Sequence, residues 1–104
     1  DIGKYFPPDK SEWKNADSLI LLQKVMELVN KKGWRVQNLD SVVVAERPKL
    51  KPYIELMKEN LASKIGLDID FVGVKATTNE KLGAEGREEG ISCHAVVLIT
   101  KDEI

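Results

Sequence analysis

The sequence predicts an α/β (α+β) fold in which two helices pack on a single β-sheet. Two segments, 19–29 and 54–65, repeat apolar residues at the spacing of an amphipathic helix. Three further runs, 39–45, 71–74 and 91–101, have the apolar character and length of strands. Their order along the chain is helix, strand, helix, strand, strand, which is typical of one sheet covered by helices.

The first nine residues are predicted to form an irregular loop. Pro7 and Pro8 hold the backbone extended, and Asp1 puts one carboxylate at the head of the segment. The chain begins at Asp1 without a methionine, inside a segment that resembles a functional loop. We therefore expect the parent protein to have an N-terminal part outside these residues.

The first helix is predicted between two local signals. Asp17 or Ser18 is expected to cap its start, and the helix runs to Lys32 before Gly33 supplies a left-handed stop. Its apolar residues form more than one stripe along the helix. This pattern predicts that the helix is covered on more than one side.

The first strand is predicted most securely at Leu39–Ala45. Its continuous run of valines, 42–44, implies burial on both faces of the sheet. The strand ends in the segment Glu46–Pro52, where two prolines stiffen a basic loop. A rigid, positively charged loop thus follows the strand at one edge of the sheet.

The second helix is predicted to start at Pro52, which is tolerated in the first turn of a helix. Gly66 stops this helix, and residues 68–70 turn the chain into a strand that begins at Phe71. One face of the helix is apolar and is expected to face the sheet: Ile54, Met57, Leu61 and Ile65.

The segment Val74–Ile91 contains the strongest candidates for ligand-binding side chains. Thr77 and Thr78 offer hydroxyl and amide groups beside the carboxylate of Glu80, an inventory that suits a phosphate and a hard metal ion. Three glycines give the backbone freedom to approach a ligand closely: Gly83, Gly86 and Gly90. The alternative from local sequence is a glycine-punctuated hairpin connection with a threonine helix cap.

Three polar segments are expected at one edge of the sheet. Ligands of such sheets tend to bind outside the carboxyl ends of the strands. Segments 1–3, 45–51 and 76–80 could converge there, since two of them directly follow predicted strands.

Composition narrows the class of protein. A chain of 104 residues with 42% hydrophobic and 32% charged residues predicts one soluble globular domain. Its net charge of -1 argues against a nucleic-acid partner, and no apolar run is long enough to span a membrane. No signal peptide is visible, and the single cysteine, Cys93, indicates a reducing compartment without a disulfide.

Taken together, six motifs resemble the 2-C-methyl-D-erythritol 2,4-cyclodiphosphate synthase family of the non-mevalonate isoprenoid pathway. The resemblance covers the whole chain in order. The motifs are Asp-Ile-Gly-x-x-Phe-Pro at 1–7, Trp-Lys-x-Ala-Asp-Ser at 13–18, Asn-x-Asp at 38–40, Pro-Lys-Leu-x-Pro at 48–52, Val-Lys-Ala-Thr-Thr-x-Glu-Lys-Leu-Gly at 74–83 and Gly-Arg-x-Glu-Gly-Ile at 86–91.

The resemblance implies a single mixed β-sheet with helices packed on one face, and a homotrimer with active sites between subunits. Residues 1–104 would be a single domain, the C-terminal portion of such a synthase. The family's reaction is a cyclisation, in which the 2-phosphate of a cytidine diphosphate substrate attacks the substrate's own diphosphate and releases CMP. Zinc and a magnesium or manganese ion would be the cofactors, and the location would be the bacterial cytoplasm or a plastid.

Residue roles follow from the same resemblance. Thr78 would stabilise the transition state, and Glu80 would ligate the magnesium or manganese ion. Arg87 would face the central axis of the trimer. The substrate-binding set would be Asp1, Ile2, Gly3, Phe6, Ala45, Pro48, Lys49, Leu50, Lys51, Ala76, Thr77, Thr78, Glu80 and Arg87.

Each of these assignments has a simpler structural alternative. Asp1 could be a turn residue at the C-terminus of a helix, and 45–51 could be a solvated basic loop. Thr77 and Thr78 could cap a helix, a role compatible with anion binding at the helix N-terminus. Arg87 could form a surface salt bridge to Glu88 or Glu89.

The chain also departs from the family pattern. The family's zinc ligands, an Asp-x-His pair and a later histidine, are not in this sequence. The only histidine, His94, is expected to point to the face opposite Cys93 and to be a structural or interface residue. Lys10 and Ala84 replace a usual aspartate and a frequent phenylalanine, which weakens a substrate contact and an isoprenoid site, respectively.

Two other functions remain open on the sequence alone. One is a catalytically inactive trimeric module that binds a cytidine nucleotide or a protein partner. The other is a small structural domain without a ligand.

Overall fold

The computed structural model describes residues 1–102, which form four helices and three strands. The helices are α1 (Ile2–Tyr5), α2 (Ser18–Lys31), α3 (Ile54–Ile65) and α4 (Gly83–Gly86). The strands are β1 (Trp34–Val44), β2 (Val72–Thr77) and β3 (Ser92–Lys101). Two single 3₁₀ turns, Lys51–Tyr53 and Ile69–Phe71, lead into α3 and β2.

The boundaries of the two long helices agree closely with the signals in the sequence. Asp17 caps α2, and its side chain accepts a hydrogen bond from the amide of Leu19 at 2.9 Å. Gly33 follows α2 with a φ of 86°. Gly66 ends α3 with a φ of 83°, a left-handed conformation that other residues adopt at a cost.

The sheet is mixed and has the strand order β2-β1-β3. The central strand β1 pairs in parallel with β2, from Leu39 opposite Val72 to Val44 opposite Thr77. It pairs antiparallel with β3, with a β-bulge between Val36 and Asn38. The expected single mixed sheet is confirmed.

The core lies between the sheet and α3. Its buried members are Leu39 on β1, Val72 and Val74 on β2, and Ala62 on α3. The predicted apolar face of α3 packs against this cluster, namely Ile54, Met57, Leu61 and Ile65. Because α2 also contacts α3 and β1, the helices cover one face of the sheet.

The opposite face of the sheet and most of β3 are exposed. Val96 and Leu98 on β3 expose 69% and 53% of their surface. Residues 42–44 of β1 are half-buried. The prediction that they are buried on both faces is therefore wrong for the single chain, because the helices pack on one face only. The expectation that α2 is covered on more than one side is met only in part, since Ile20 remains 49% exposed.

Three local expectations are corrected. The predicted N-terminal loop contains the short helix α1, and Asp1 is its N-cap rather than a residue at a helix C-terminus. Phe71 lies in a 3₁₀ turn and is exposed, because Asp68 caps that turn by accepting the amide of Asp70 at 2.9 Å. The hairpin alternative for segment 74–91 is wrong, because β2 and β3 lie on opposite sides of β1.

Candidate functional site

The parallel strands β1 and β2 end together at one edge of the sheet. Val44 lies opposite Thr77, and the amide of Ala45 donates a hydrogen bond to the carbonyl of Thr77 at 3.0 Å. The segments that follow the two strands therefore start side by side. This is the edge at which open α/β sheets usually bind ligands.

A pocket of about 260 Å³ lies between these two segments. Its lining contains eight of the residues expected to bind substrate, together with Glu46 from the expected segment 45–51. The lining residues are Ala45, Glu46, Pro48, Lys49, Leu50, Lys51, Ala76, Thr77 and Thr78. With two lysines and two threonine hydroxyls beside apolar groups, the pocket suits a ligand that carries both a phosphate and a less polar organic group.

Segment 77–81 is a tight turn held by its threonines. The hydroxyl of Thr78 accepts a hydrogen bond from the amide of Glu80 at 3.2 Å, and the hydroxyl of Thr77 donates to the carbonyl of Thr78 at 3.3 Å. Glu80 and Lys81 have φ values of 52° and 65°. The helix-cap alternative for the threonines is wrong, because Leu82 is the residue that precedes α4.

Gly86 allows α4 to lie against this turn. A Cβ atom at position 86 would lie 2.8 Å from the Cα atom of Lys81 and 2.9 Å from its carbonyl oxygen, and backbone atoms cannot move aside cheaply. The glycine is thus required by a close approach of two backbone segments. This contact fixes the distance between α4 and the turn that carries Glu80.

We expect Gly86→Ala to destabilise the protein by about 1–3 kcal/mol, because the added methyl group overpacks against the backbone of Lys81. Urea unfolding measures the change in the free energy of unfolding. Gly90→Ala is the matched control, because a Cβ atom at position 90 would meet nothing within 4 Å. Equal unfolding free energies for the two variants would contradict the proposed close contact.

Charged side chains tie the two pocket segments together. One carboxylate oxygen of Glu46 accepts the amide of Lys81 at 2.6 Å. Arg47 donates Nε and Nη2 to the two carboxylate oxygens of Glu88, at 2.7 and 2.8 Å. This ion pair holds the pKa of Glu88 below its usual range and raises the pKa of Arg47. Sequence reasoning missed these contacts, since nothing in the local pattern pairs Arg47 with Glu88.

The expected N-terminal contributors lie elsewhere in the chain. Asp1, Ile2 and Phe6 line a separate apolar pocket of about 400 Å³ against the second half of α2. The amide of Gly3 donates to the Asp1 carboxylate at 3.1 Å. Because α2 leads directly into the start of β1, this pocket lies away from the end of β1. Within one chain, Asp1 and Ile2 thus line a different pocket from segments 45–51 and 76–78.

Arg87 pairs with its own loop. Its Nε and Nη2 atoms donate to the two carboxylate oxygens of Glu89, at 2.8 and 3.2 Å, and the side chain is exposed. Of the two alternatives for Arg87, the surface salt bridge to Glu89 is the one present in the single chain.

A charged cluster occupies the open face of the sheet near the site. Lys75 pairs with Asp40, and the hydrogen bond from Lys75 holds the pKa of Asp40 below its usual range. His94 lies beside them across β1, in register with Val42. Cys93 is exposed and, by the alternation of a strand, points to the other face from His94.

No three His, Cys, Asp or Glu side chains within residues 1–102 are grouped to hold a metal ion. A zinc centre therefore does not fit the residues described. A single carboxylate such as Glu80 does suit magnesium, which proteins often bind through one or two carboxylates and substrate phosphates. In the same part of the chain, no helix is long and apolar enough to cross a membrane.

Comparison with known proteins identifies close relatives. The model of the YgbB family matches residues 1–100. A curated protein of Prochlorococcus marinus, "2-C-methyl-D-erythritol 2,4-cyclodiphosphate synthase", is 66% identical over 101 residues, which are 97% of this chain and 61% of the relative. A protein of Nostoc sp. with the same name is 60% identical over 105 residues, covering 100% of this chain and 64% of the relative. The chain thus spans less than two thirds of the length of these relatives.

Solved structures agree with the fold. The bifunctional IspDF from Campylobacter jejuni superposes with a TM-score of 0.91 at 39% identity, covering 97% of this chain and 27% of that protein. IspF of Plasmodium falciparum, solved as a CDP complex, superposes with a TM-score of 0.83 at 30% identity, covering 99% of this chain and 61% of that protein.

Proposed function

Because this chain belongs to the YgbB family, whose curated relatives are named 2-C-methyl-D-erythritol 2,4-cyclodiphosphate synthase, we propose that it carries out the same cyclisation. The substrate is 4-diphosphocytidyl-2-C-methyl-D-erythritol 2-phosphate. An oxygen of its 2-phosphate attacks the diphosphate, a new P–O bond forms, and the P–O bond to the cytidine phosphate breaks. The products are 2-C-methyl-D-erythritol 2,4-cyclodiphosphate and CMP, which makes the protein a phosphorus–oxygen lyase.

The observation that carries this proposal is the pocket at the ends of β1 and β2. Eight of the expected substrate-binding residues line it, although they come from two segments more than 20 residues apart. Segment 45–51 binds the cytidine, and Lys49 attracts the phosphates. Thr77 and Thr78 orient the phosphate oxygens. The CDP complex of the Plasmodium falciparum relative supports a cytidine nucleotide as the ligand class.

The chemistry needs no side-chain nucleophile, because the attacking oxygen belongs to the substrate. The protein has to hold two phosphate groups that repel each other and stabilise the charge that develops between them. Glu80 would hold a magnesium or manganese ion, which neutralises phosphate charge when it is bound. We propose that zinc, the family's other metal, is a second cofactor, whose ligands the described residues do not supply.

The complete site is proposed to form between copies of the chain in a homotrimer. Asp1, Ile2, Gly3 and Phe6 would reach the substrate from a neighbouring copy, since they lie away from the pocket within their own chain. The exposed apolar side chains of β3 would be covered by the same assembly. Arg87 would face the axis of the trimer, and the protein would work in the cytoplasm of a bacterium.

We expect the protein, supplied with zinc and magnesium, to convert its substrate to equal amounts of CMP and the cyclic diphosphate. Phosphorus NMR follows both products in one experiment. The control is the substrate analogue without the 2-phosphate, which has no internal nucleophile and should release no CMP. Glu80→Gln should raise the magnesium concentration needed for half-maximal rate, because the ion loses a charged ligand.

Two results would contradict the proposed cyclase. CMP release from the analogue would indicate a hydrolase, with water as the nucleophile. Binding of CDP without turnover of the substrate would favour the alternative of an inactive nucleotide-binding module.

A further inference from the structure

Three successive residues that follow β1 are bonded to the last residue of β2 or to the segment after it. The amide of Ala45 donates to the Thr77 carbonyl at 3.0 Å, and Glu46 accepts the amide of Lys81 at 2.6 Å. Arg47 completes the series with its forked contact to Glu88. The last of these links is the only one of the three made by two side chains.

The ion pair between Arg47 and Glu88 has a geometry that fixes orientation as well as distance. Two nearly parallel hydrogen bonds, 2.7 and 2.8 Å long, join the guanidinium to both carboxylate oxygens. Arg47 directly precedes Pro48 and Lys49, which line the pocket. A shift of Arg47 would therefore move the pocket wall.

The segment that follows β2 contains three residues with unfavourable backbone angles. Glu80, Lys81 and Glu88 have φ values of 52°, 65° and 63°, in the left-handed region that favours glycine. Such conformations persist only where surrounding contacts hold them. Lys81 and Glu88 are the residues that receive the contacts from Glu46 and Arg47. Two of the three links thus hold residues whose backbone angles are strained.

We propose that Arg47 and Glu88 are positioning residues that hold segment 45–51 in register with Thr77, Thr78 and Glu80 before ligand binds. Neither side chain lines the pocket, so the pair acts through the residues that do. A pocket that is ordered in advance loses less conformational entropy on binding. This inference rests on the proposed function, because it assumes that the pocket holds the cytidine nucleotide.

The expected effect is moderate because the pair is exposed. The side chains of Arg47 and Glu88 have relative exposures of 77% and 43%, and exposed ion pairs contribute little individually. We expect Arg47→Ala and Glu88→Ala each to weaken the binding of CDP about threefold, a change in the range of single surface ion pairs. The double variant should bind no more weakly than either single variant, because the two residues act as one unit.

The experiment is isothermal titration of the protein with CDP in the presence of magnesium. Arg35→Ala is the matched control, because Arg35 forms an ion pair of similar exposure with Asp102, at 3.2 Å, near the opposite end of β1. It removes the same side chain and the same charge without touching the pocket segments. Binding by this control should equal that of the unmodified protein.

The sign of the Glu88→Ala effect separates positioning from simple charge attraction. If Arg47 only attracted the phosphates, removing the neighbouring negative charge would strengthen CDP binding. Stronger binding by Glu88→Ala, or unchanged binding by both variants, would overturn the inference. Weaker binding by both variants supports it.

Amide hydrogen exchange without ligand gives a second test that does not depend on CDP. Both alanine variants should exchange faster at residues 46–51 and 79–89 than the unmodified protein, while Arg35→Ala should not. Unchanged exchange in those segments would overturn the inference even if CDP binds. Failure of the unmodified protein to bind CDP would instead contradict the proposed function.

Discussion

Replacing Thr78 with alanine is expected to lower kcat by about 100- to 1,000-fold, the usual cost of removing one hydrogen-bond donor that stabilises transition-state charge. Thr78 lines the pocket and is exposed. It also accepts the amide of Glu80, so the same substitution loosens the turn that carries the proposed metal ligand. In the proposed complex, both losses act on the diphosphate end of the substrate.

The measurement is the steady-state rate of CMP release at saturating substrate and magnesium. Saturating magnesium removes the part of the effect that comes from a weakened metal site, so the remaining loss reports the hydroxyl itself. Thr78→Ser is the matched variant, because it keeps the hydroxyl and should retain a kcat within a few-fold of the original. A kcat for Thr78→Ala within about threefold of that of the unmodified protein would show that Thr78 has no catalytic role.

Leu39→Ala is expected to destabilise the fold by about 2–4 kcal/mol, the range for deleting a buried leucine side chain. Leu39 is only 9% exposed and packs with Ala62, Val72 and Val74 between the sheet and α3. Truncation would leave a cavity where the central strand meets the helix. Because β1 carries the pocket segment at its end, loss of this packing should also reduce the population of the binding-competent protein.

Urea unfolding at a fixed protein concentration measures this change, since an assembling protein gains apparent stability with concentration. Leu56→Ala is the control: Leu56 lies on α3 but is 55% exposed, so its truncation should cost well under 1 kcal/mol. Similar losses for both variants would show that the core does not lie where the sheet and α3 meet.

The parts of the fold with local signals could be predicted from the sequence. Asp17 caps the start of α2 through a side-chain hydrogen bond and Gly66 ends α3 with a left-handed backbone angle, so both boundaries lie close to where the sequence predicts them. The pocket segments were also predictable, because 45–51 and 76–80 each follow an apolar strand. Their meeting depends on β1 and β2 being parallel, a pairing that no local signal in the sequence specifies.

Other features depend on contacts that the sequence does not display. Phe71 has strong strand propensity, but the side chain of Asp68 favours a turn there and leaves the ring exposed. Whether segment 74–91 closes a hairpin depends on which strand lies next to β1, a choice made by packing between distant segments. The pairs of Arg47 with Glu88 and of Lys75 with Asp40 join residues more than 30 positions apart, so local pattern could not reveal them.

The position of β1 in the middle of the sheet has a consequence for biosynthesis. Leu39 pairs with Val72, 33 residues later, in the parallel partner β2, and the antiparallel partner β3 is the last strand of the described chain. As the polypeptide leaves the ribosome, both edges of β1 stay unpaired until β2 and β3 have emerged. During that interval its run of valines, 42–44, offers an unpaired edge to which another chain could bind.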